Sequence, residues 1–184
     1  LGSMACGLNA VAILLALEVV LHVPVTLDLA WANFGRLTGM YVAAAVPFFL
    51  TGVLFSVVFA RESRQIPQLY GADLAGGAAS CLAVVPLLNW VGGPNAVVFA
   101  ALAMAAAAVV WAEGRTRRVA IGLTILIAGL LAANYSGRLI DIVYAKGVRR
   151  DQDWMLFARW NALSRVEVDQ IDQAKYIVID ADAS

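Results

Sequence analysis

Between Leu74 and Ala112 the chain carries no Asp, Glu, Lys or Arg. A stretch this long and this apolar fits two crossings of a lipid bilayer. The hydrocarbon core is about 30 Å thick and takes about 20 apolar residues as helix, because in lipid only a helix or closed barrel satisfies every backbone N–H and C=O. Five stretches meet that requirement, at residues 1–22, 39–60, 72–90, 95–112 and 119–136. Composition agrees, with 62% of residues hydrophobic and 14% charged, whereas roughly a quarter are charged in ordinary soluble domains. Disorder is excluded on the same ground, since it needs low hydrophobicity and high net charge. Thirteen basic and thirteen acidic residues balance, so no bulk positive field points to nucleic acid, and the partner implied is lipid.

Charge becomes dense again from Arg138 to Ser184. The expected fold is therefore an all-α polytopic membrane helix bundle of about five transmembrane helices over residues 1–137, followed by a short β-hairpin-containing soluble segment over 138–184. Leu1 begins the first span with no basic residues before it, unlike a native start or a signal peptide, so a fragment of a longer protein is expected. Trp31-Ala-Asn-Phe34 falls in the first connection, Arg61-Glu-Ser-Arg64 in the second and Glu113-Gly-Arg-Thr-Arg-Arg118 in the fourth. The third, Val91-Gly-Gly-Pro94, suits a sharp helix reversal, with glycine supplying unusual dihedrals and Pro94 opening the next helix. Lys and Arg near the span ends usually mark the cytoplasmic side. Here Arg61, Arg64, Arg115, Arg117 and Arg118 face one side and Arg36, Arg138, Lys146, Arg149 and Arg150 the other, an even tally.

In the third span Gly71, Ala75 and Ala79 share one face, and Ala72, Gly76 and Ser80 the next, a spacing that lets helix backbones approach closely. Pro47 and Pro86 are expected to kink their spans. Glu18 and Asp73 are costly if they face lipid, so each should face protein, water or headgroups. Asp73 follows Pro67-Gln-Leu-Tyr70 and reads as a helix-start carboxylate, and Glu18 is one turn from His22. Asn9 and Asn134 read as hydrogen bonders between helices. Cys6 and Cys81 lie in apolar runs and read as small hydrophobes; with a single His, no metal-ligand spacing is present.

In the tail, Val166-Glu-Val-Asp169 and Tyr176-Ile-Val-Ile-Asp180 flank a polar Gln170 to Lys175 and read as a β-hairpin. Two strands alone are marginal in water. Trp154-Met-Leu-Phe157 and Trp160 read as an amphipathic segment lying along the membrane surface or covering the hairpin. The chain has no glycine-rich nucleotide loop, no Gly-x-Ser-x-Gly and no paired catalytic carboxylates, so a complete active site is not expected within it.

Tyr70-Gly-Ala-Asp-Leu-Ala-Gly-Gly-Ala78, Leu88-Asn-Trp-Val-Gly-Gly-Pro94, Tyr144-Ala-Lys-Gly147, Phe157-Ala-Arg-Trp-Asn-Ala-Leu-Ser-Arg-Val166 and Ile177-Val-Ile-Asp-Ala181 are spread over most of the chain, from residue 70 to 181. They resemble the large bacterial spermidine synthase-like proteins, polytopic proteins whose helices are fused to an aminopropyltransferase-type domain. The resemblance implies that the tail begins that domain, whose first hairpins carry a donor-contacting strand. It implies decarboxylated S-adenosylmethionine or S-adenosylmethionine as donor in the full-length protein, none being held by this chain. It also implies a multi-pass protein of the bacterial inner membrane with a cytoplasmic tail. Leu163 stands where the soluble enzymes have Tyr, Ser164 where they have a donor-contacting Gln, and Ala181 where they have Gly. A short hydroxyl does not reach as a carboxamide does.

The expected role is a membrane anchor holding the transferase domain at the bilayer. Trp160, Asn161, Ser164, Arg165 and Asp180 are the candidate substrate or donor contacts, and Glu18, Tyr70 and Asp73 the candidate intramembrane polar residues. Two other readings stand beside it: a transporter or permease-like module using Glu18 and Asp73, and a structural module forming a homo-oligomer through the small-residue face.

Overall fold

The computed structural model describes residues 2–26, 29–145, 147–150, 154–171, 174–180 and 182–183. Leu1, Lys146, Asp172, Gln173, Ala181 and Ser184 lie outside the described residues. Five helices come first: α1 (Gly2–His22), α2 (Trp31–Arg61), α3 (Ile66–Val91), α4 (Gly93–Val110) and α5 (Gly114–Ala133). Each is long and apolar enough to cross a membrane, which makes this a multi-pass membrane protein. The connections place the α1–α2 loop, the α3–α4 turn and the tail at one end of the bundle, and the α2–α3 and α4–α5 connections at the other.

Four helices begin earlier than the apolar stretches suggest, α4 by two residues and α2, α3 and α5 by five or more, because bilayer thickness sets a minimum length for a spanning helix and no maximum. Helix α2 takes in Trp31 to Phe34, which the sequence places in a connection. There the Asn33 carboxamide clamps the preceding loop, accepting from Thr26 N at 3.0 Å and donating to Thr26 O. Helix α3 starts at Ile66 after a single 3₁₀ turn over Ser63–Gln65, with Pro67 in its first turn. Asp73 consequently lies inside the helix, not at its start, and the first turn holds no acidic residue. Helix α5 opens at Gly114, where the Thr116 hydroxyl accepts from Glu113 N at 3.3 Å. Pro47 and Pro86 sit inside continuous helices.

Helix α1 packs on α4 and α2, and α4 on α5. The seam is built from small residues, with Ala10, Val98, Ala101 and Ala105 fully buried beside Leu17, Leu21 and Ile127. Three carboxamides bolt the bundle. Asn9 Nδ2 donates to Thr51 Oγ1 at 2.8 Å, joining α1 to α2. Asn134 Nδ2 donates to Asn95 Oδ1 at 2.7 Å while Asn95 Nδ2 donates to Asn134 O at 2.9 Å, joining α4 to the end of α5. The Asn134 side chain also accepts from Leu139 N and Ile140 N at 2.8 and 2.9 Å, so it folds the chain leaving α5 back against the bundle.

The tail holds a small antiparallel hairpin, β1 (Tyr144–Ala145) with β2 (Val148–Arg149), and a second sheet of β3 (Met155–Trp160), β4 (Arg165–Ile171), β5 (Ala174–Ile179) and the two-residue β6 (Asp182–Ala183), in that order. The β4–β5 hairpin is the one the sequence shows. The segment read as amphipathic, lying along the membrane surface or covering the hairpin, is from Met155 to Trp160 strand β3, which joins the hairpin edge to edge, paired with β4 from Trp160↔Arg165 to Met155↔Asp169 across a bulge. A short apolar run does not by itself distinguish helix from strand. Pairing with β4 decides it, and supplies the third strand that the hairpin needs to be stable.

Candidate functional site

Strand geometry puts Arg165, Glu167 and Asp169 on one face of β4, because side chains alternate with period two. That charged face is the buried one. Arg165 and Glu167 are each 4% exposed at the side chain. Such charges are tolerated only when paired. Arg165 Nη2 lies 2.8 Å from Asp141 Oδ2 and its Nε 2.7 Å from Glu167 Oε1, while Arg150 Nη2 bonds both Glu167 and, at 2.6 Å, Asp169. Asp141 and Arg150 come from the chain between α5 and β3, which covers this face of the sheet. The opposite face is mainly apolar and uncovered, with Phe157, Ile177 and Ile179 exposed and Arg159 and Lys175 beside them.

Trp160 joins sheet to bundle. Its indole lies on the α3–α4 turn so closely that a Cβ on Gly92 would come within 2.8 Å of the ring, and one on Gly93 within 2.9 Å. Gly92 also has φ +83°, a conformation that side chains disfavour. The Gly-Gly pair therefore serves both the reversal and the docking of the tail. On its other side Trp160 faces the Arg165 guanidinium, 5.8 Å from the ring centroid.

A cleft of about 370 Å³ opens where these parts meet, lined by Asn89, Tyr135, Asp141, Arg159, Trp160 and Arg165 among others. Beside it runs an apolar groove of about 570 Å³ between α2 and α3, floored by α1 and α4.

Of the tail's candidate residues Trp160 and Arg165 line this cleft, while Asn161, Ser164 and Asp180 lie at the same end of the sheet outside its lining. Asn161 shapes the β3–β4 turn, its Oδ1 accepting from Leu163 N at 2.7 Å and Ser164 N at 2.8 Å. The Ser164 hydroxyl lies against the same carboxamide, 3.2 Å from Asn161 Nδ2. Asp180, at φ 49°, accepts from Arg165 N at 2.9 Å and thereby closes the end of the β4–β5 pair. The three intramembrane candidates are not brought together. Tyr70 and Asp73 are exposed on α3 near the bundle end remote from the tail. Glu18 pairs with His22 at 3.0 Å, one turn apart at the tail-side end of α1, with both side chains about half exposed. None of the three lines the cleft or the groove.

Residues that sequence reasoning missed include Asn95, Asp141, Arg150, Arg159, Glu167 and Asp169. Asn95 had a signal, as a carboxamide inside the charge-free run. So did the alternating Arg165-x-Glu167-x-Asp169, which points at one face of a strand. Nothing local in the sequence pairs Asp141 or Arg150 with them. No protein-family model, curated protein or solved structure matches this chain.

Proposed function

We propose that this chain is the membrane-anchoring region of a spermidine synthase-like transferase, holding a C-terminal nucleotide-binding-type domain at the bilayer. The observation that carries the reading is the inverted polarity of the tail sheet. Its charged face turns inward onto Asp141 and Arg150, and its apolar face, with Phe157, Ile177 and Ile179, is left open. An exposed apolar sheet face is a surface for another packed layer. A further domain continuing from β5 and β6 would supply that layer, and Trp160 on the Gly92–Gly93 turn would hold it at the membrane. In this reading the membrane is the bacterial inner membrane and the tail is cytoplasmic, where a nucleoside donor is available.

The test uses the gene product containing this chain, in membranes. Binding of decarboxylated S-adenosylmethionine or S-adenosylmethionine, with aminopropyl or methyl transfer to amines or lipids, is the expected result. Neither binding nor transfer overturns it.

A second reading is favoured by α3, none of whose residues is buried although it presents Gly71, Ala75 and Ala79 along one face. This helix would pair with that of a second copy. Ala79→Cys in a Cys81→Ala background reports on it directly, since position 79 lies on that face: oxidative cross-linking there that is lost on adding Ala75→Leu or Gly76→Leu supports the pairing, and its absence removes it.

A further inference from the structure

The end of the bundle remote from the tail has a chemistry of its own. Leu54 of α2 packs there against Cys6, Ala108, Ala112 and Ala120, so α1, α2, α4 and α5 converge on one small apolar cluster. The chain runs on from Leu54 and Ala112 into the α2–α3 and α4–α5 connections, which with the helix ends beside them carry Arg61, Arg64, Arg115, Arg117 and Arg118. All five are exposed, and none makes an ion pair or a side-chain hydrogen bond among the described residues. The carboxylates at this end are Glu62, Glu113 and, inside α3, Asp73, so positive charge is in surplus. At the tail end, by contrast, Arg150 and Arg165 are consumed in ion pairs with Asp141, Glu167 and Asp169, and Arg36 donates to Pro24 O at 3.3 Å.

Depth decides what such a surface meets. Arg61 closes α2 directly after the apolar run that ends at Ala60, and Arg118 directly precedes the run that opens at Val119. At 1.5 Å of rise per residue, Arg115 lies about 5 Å farther out than Arg118. Trp111, exposed at the end of α4, belongs to the same level, since tryptophan favours the boundary between hydrocarbon and water. The guanidinium groups therefore stand at the plane of the lipid headgroups, which long arginine side chains reach readily from a terminal turn. The connections, residues 62–65 and 111–113, are too short to project a surface beyond that plane to a soluble acidic partner. Phosphate oxygens are acceptors that arginine's planar fork matches well, and a headgroup with net negative charge answers the surplus where a zwitterionic one does not.

We propose that the end of the bundle remote from the tail is a binding surface for anionic phospholipid headgroups, their phosphates held by the arginines of the α2–α3 and α4–α5 connections. The surface rests neither on the transferase reading nor on the side of the membrane that the tail occupies, because it uses residues of the bundle alone.

The experiment reconstitutes the full chain in phosphatidylcholine vesicles holding a minor fraction of phosphatidylglycerol, with bromine on the acyl chains of one lipid at a time to quench nearby tryptophan. Trp31, Trp90, Trp154 and Trp160 all lie toward the tail, so the quenching lost in Trp111→Phe reports on the remote end. The expected result is a local phosphatidylglycerol fraction about threefold above bulk, the scale of an exposed ion pair. Arg61→Gln, Arg64→Gln, Arg115→Gln, Arg117→Gln and Arg118→Gln together should return it to the bulk fraction, whereas lysine at the same positions should preserve most of it. Protection of the buried Cys6 from alkylation, in a Cys81→Ala background, shows that each variant is folded. A local fraction equal to bulk in the unaltered chain, or an enrichment that the glutamine variant retains, overturns the proposal. An enrichment abolished by inorganic phosphate at constant ionic strength also overturns it, by making the surface a site for a soluble anion.

Discussion

Helices α3 and α4 are joined by the single residue Gly92, both are rich in alanine, and both are apolar enough to cross a membrane, yet one supplies the centre of the bundle and the other its rim. In α4, Val98, Ala101, Ala105 and Ala108 are completely buried; in α3 no residue is. Helix α3 holds as many Gly, Ala and Ser residues as α4, nine each, though over 26 residues against 18, so small residues permit close approach without compelling it. The difference lies in the polar atoms. Asn95 of α4 reaches across to Asn134 beyond α5, whereas the Ser80 hydroxyl of α3 turns back to its own Gly76 carbonyl at 2.8 Å. In lipid, where an apolar face gains little by leaving acyl chains for another helix, hydrogen bonds between helices and tight backbone packing select the partners.

Replacing Asn134 should therefore have the largest effect. Asn134→Leu strands Asn95 Oδ1 and the N–H groups of Leu139 and Ile140. Buried polar groups left unpaired cost roughly 1–3 kcal/mol each, so a loss of about 3 kcal/mol is expected. Heat-induced labelling of Cys6 in a Cys81→Ala background measures it, since Cys6 is buried and Cys81 exposed. An unchanged midpoint would break the claim that carboxamides set the core apart.

Ala105→Leu comes next, forcing a larger side chain into the filled α1–α4 seam at a cost of about 2 kcal/mol by the same assay. Gly93→Ala acts on the junction of the two helices. Its Cβ would meet the Trp160 ring, so the sheet should lift from the bundle at a cost of about 1 kcal/mol, seen as faster proteolysis of the tail with Cys6 labelling little changed. The smallest effect is predicted for Ala79→Leu on α3, within about 0.5 kcal/mol, as for substitutions away from packed features. A loss as large as that of Ala105→Leu would show that α3 is buried against something in the membrane, and would make the contrast between the helices one of partner and not of packing.

Much of the architecture is legible in the residues. The five crossings, the Gly92–Gly93–Pro94 reversal, the β4–β5 hairpin and the bridging roles of Asn9 and Asn134 all follow from length, turn chemistry, alternation and the cost of a buried carboxamide. The site is legible only in part. Trp160, Asn161, Ser164, Arg165 and Asp180 do gather at one end of the sheet, but the partners that give Arg165 its role, Asp141 and Glu167, do not stand out in the sequence. Strand β3 was hidden because a short apolar run beside a membrane reads equally well as a segment lying along the membrane surface or covering the hairpin until its hydrogen-bond partner is known.

The buried charged face of β4 shows the limit most clearly. Alternation puts Arg165, Glu167 and Asp169 together, and the ordinary expectation sends such a face to water. The fold sends it inward, because Asp141 and Arg150 arrive from the preceding segment to pair it. The sequence by itself determined how many helices cross the membrane and where each must lie, because the bilayer imposes a length and leaves no backbone group unpaired. Which helices fill the centre, which face of the sheet is covered, and where the cleft opens between sheet and bundle were decided only by the tertiary structure. Spans that are apolar all round carry no mark of an inward side, and a charge carries no mark of the distant partner that makes its burial possible.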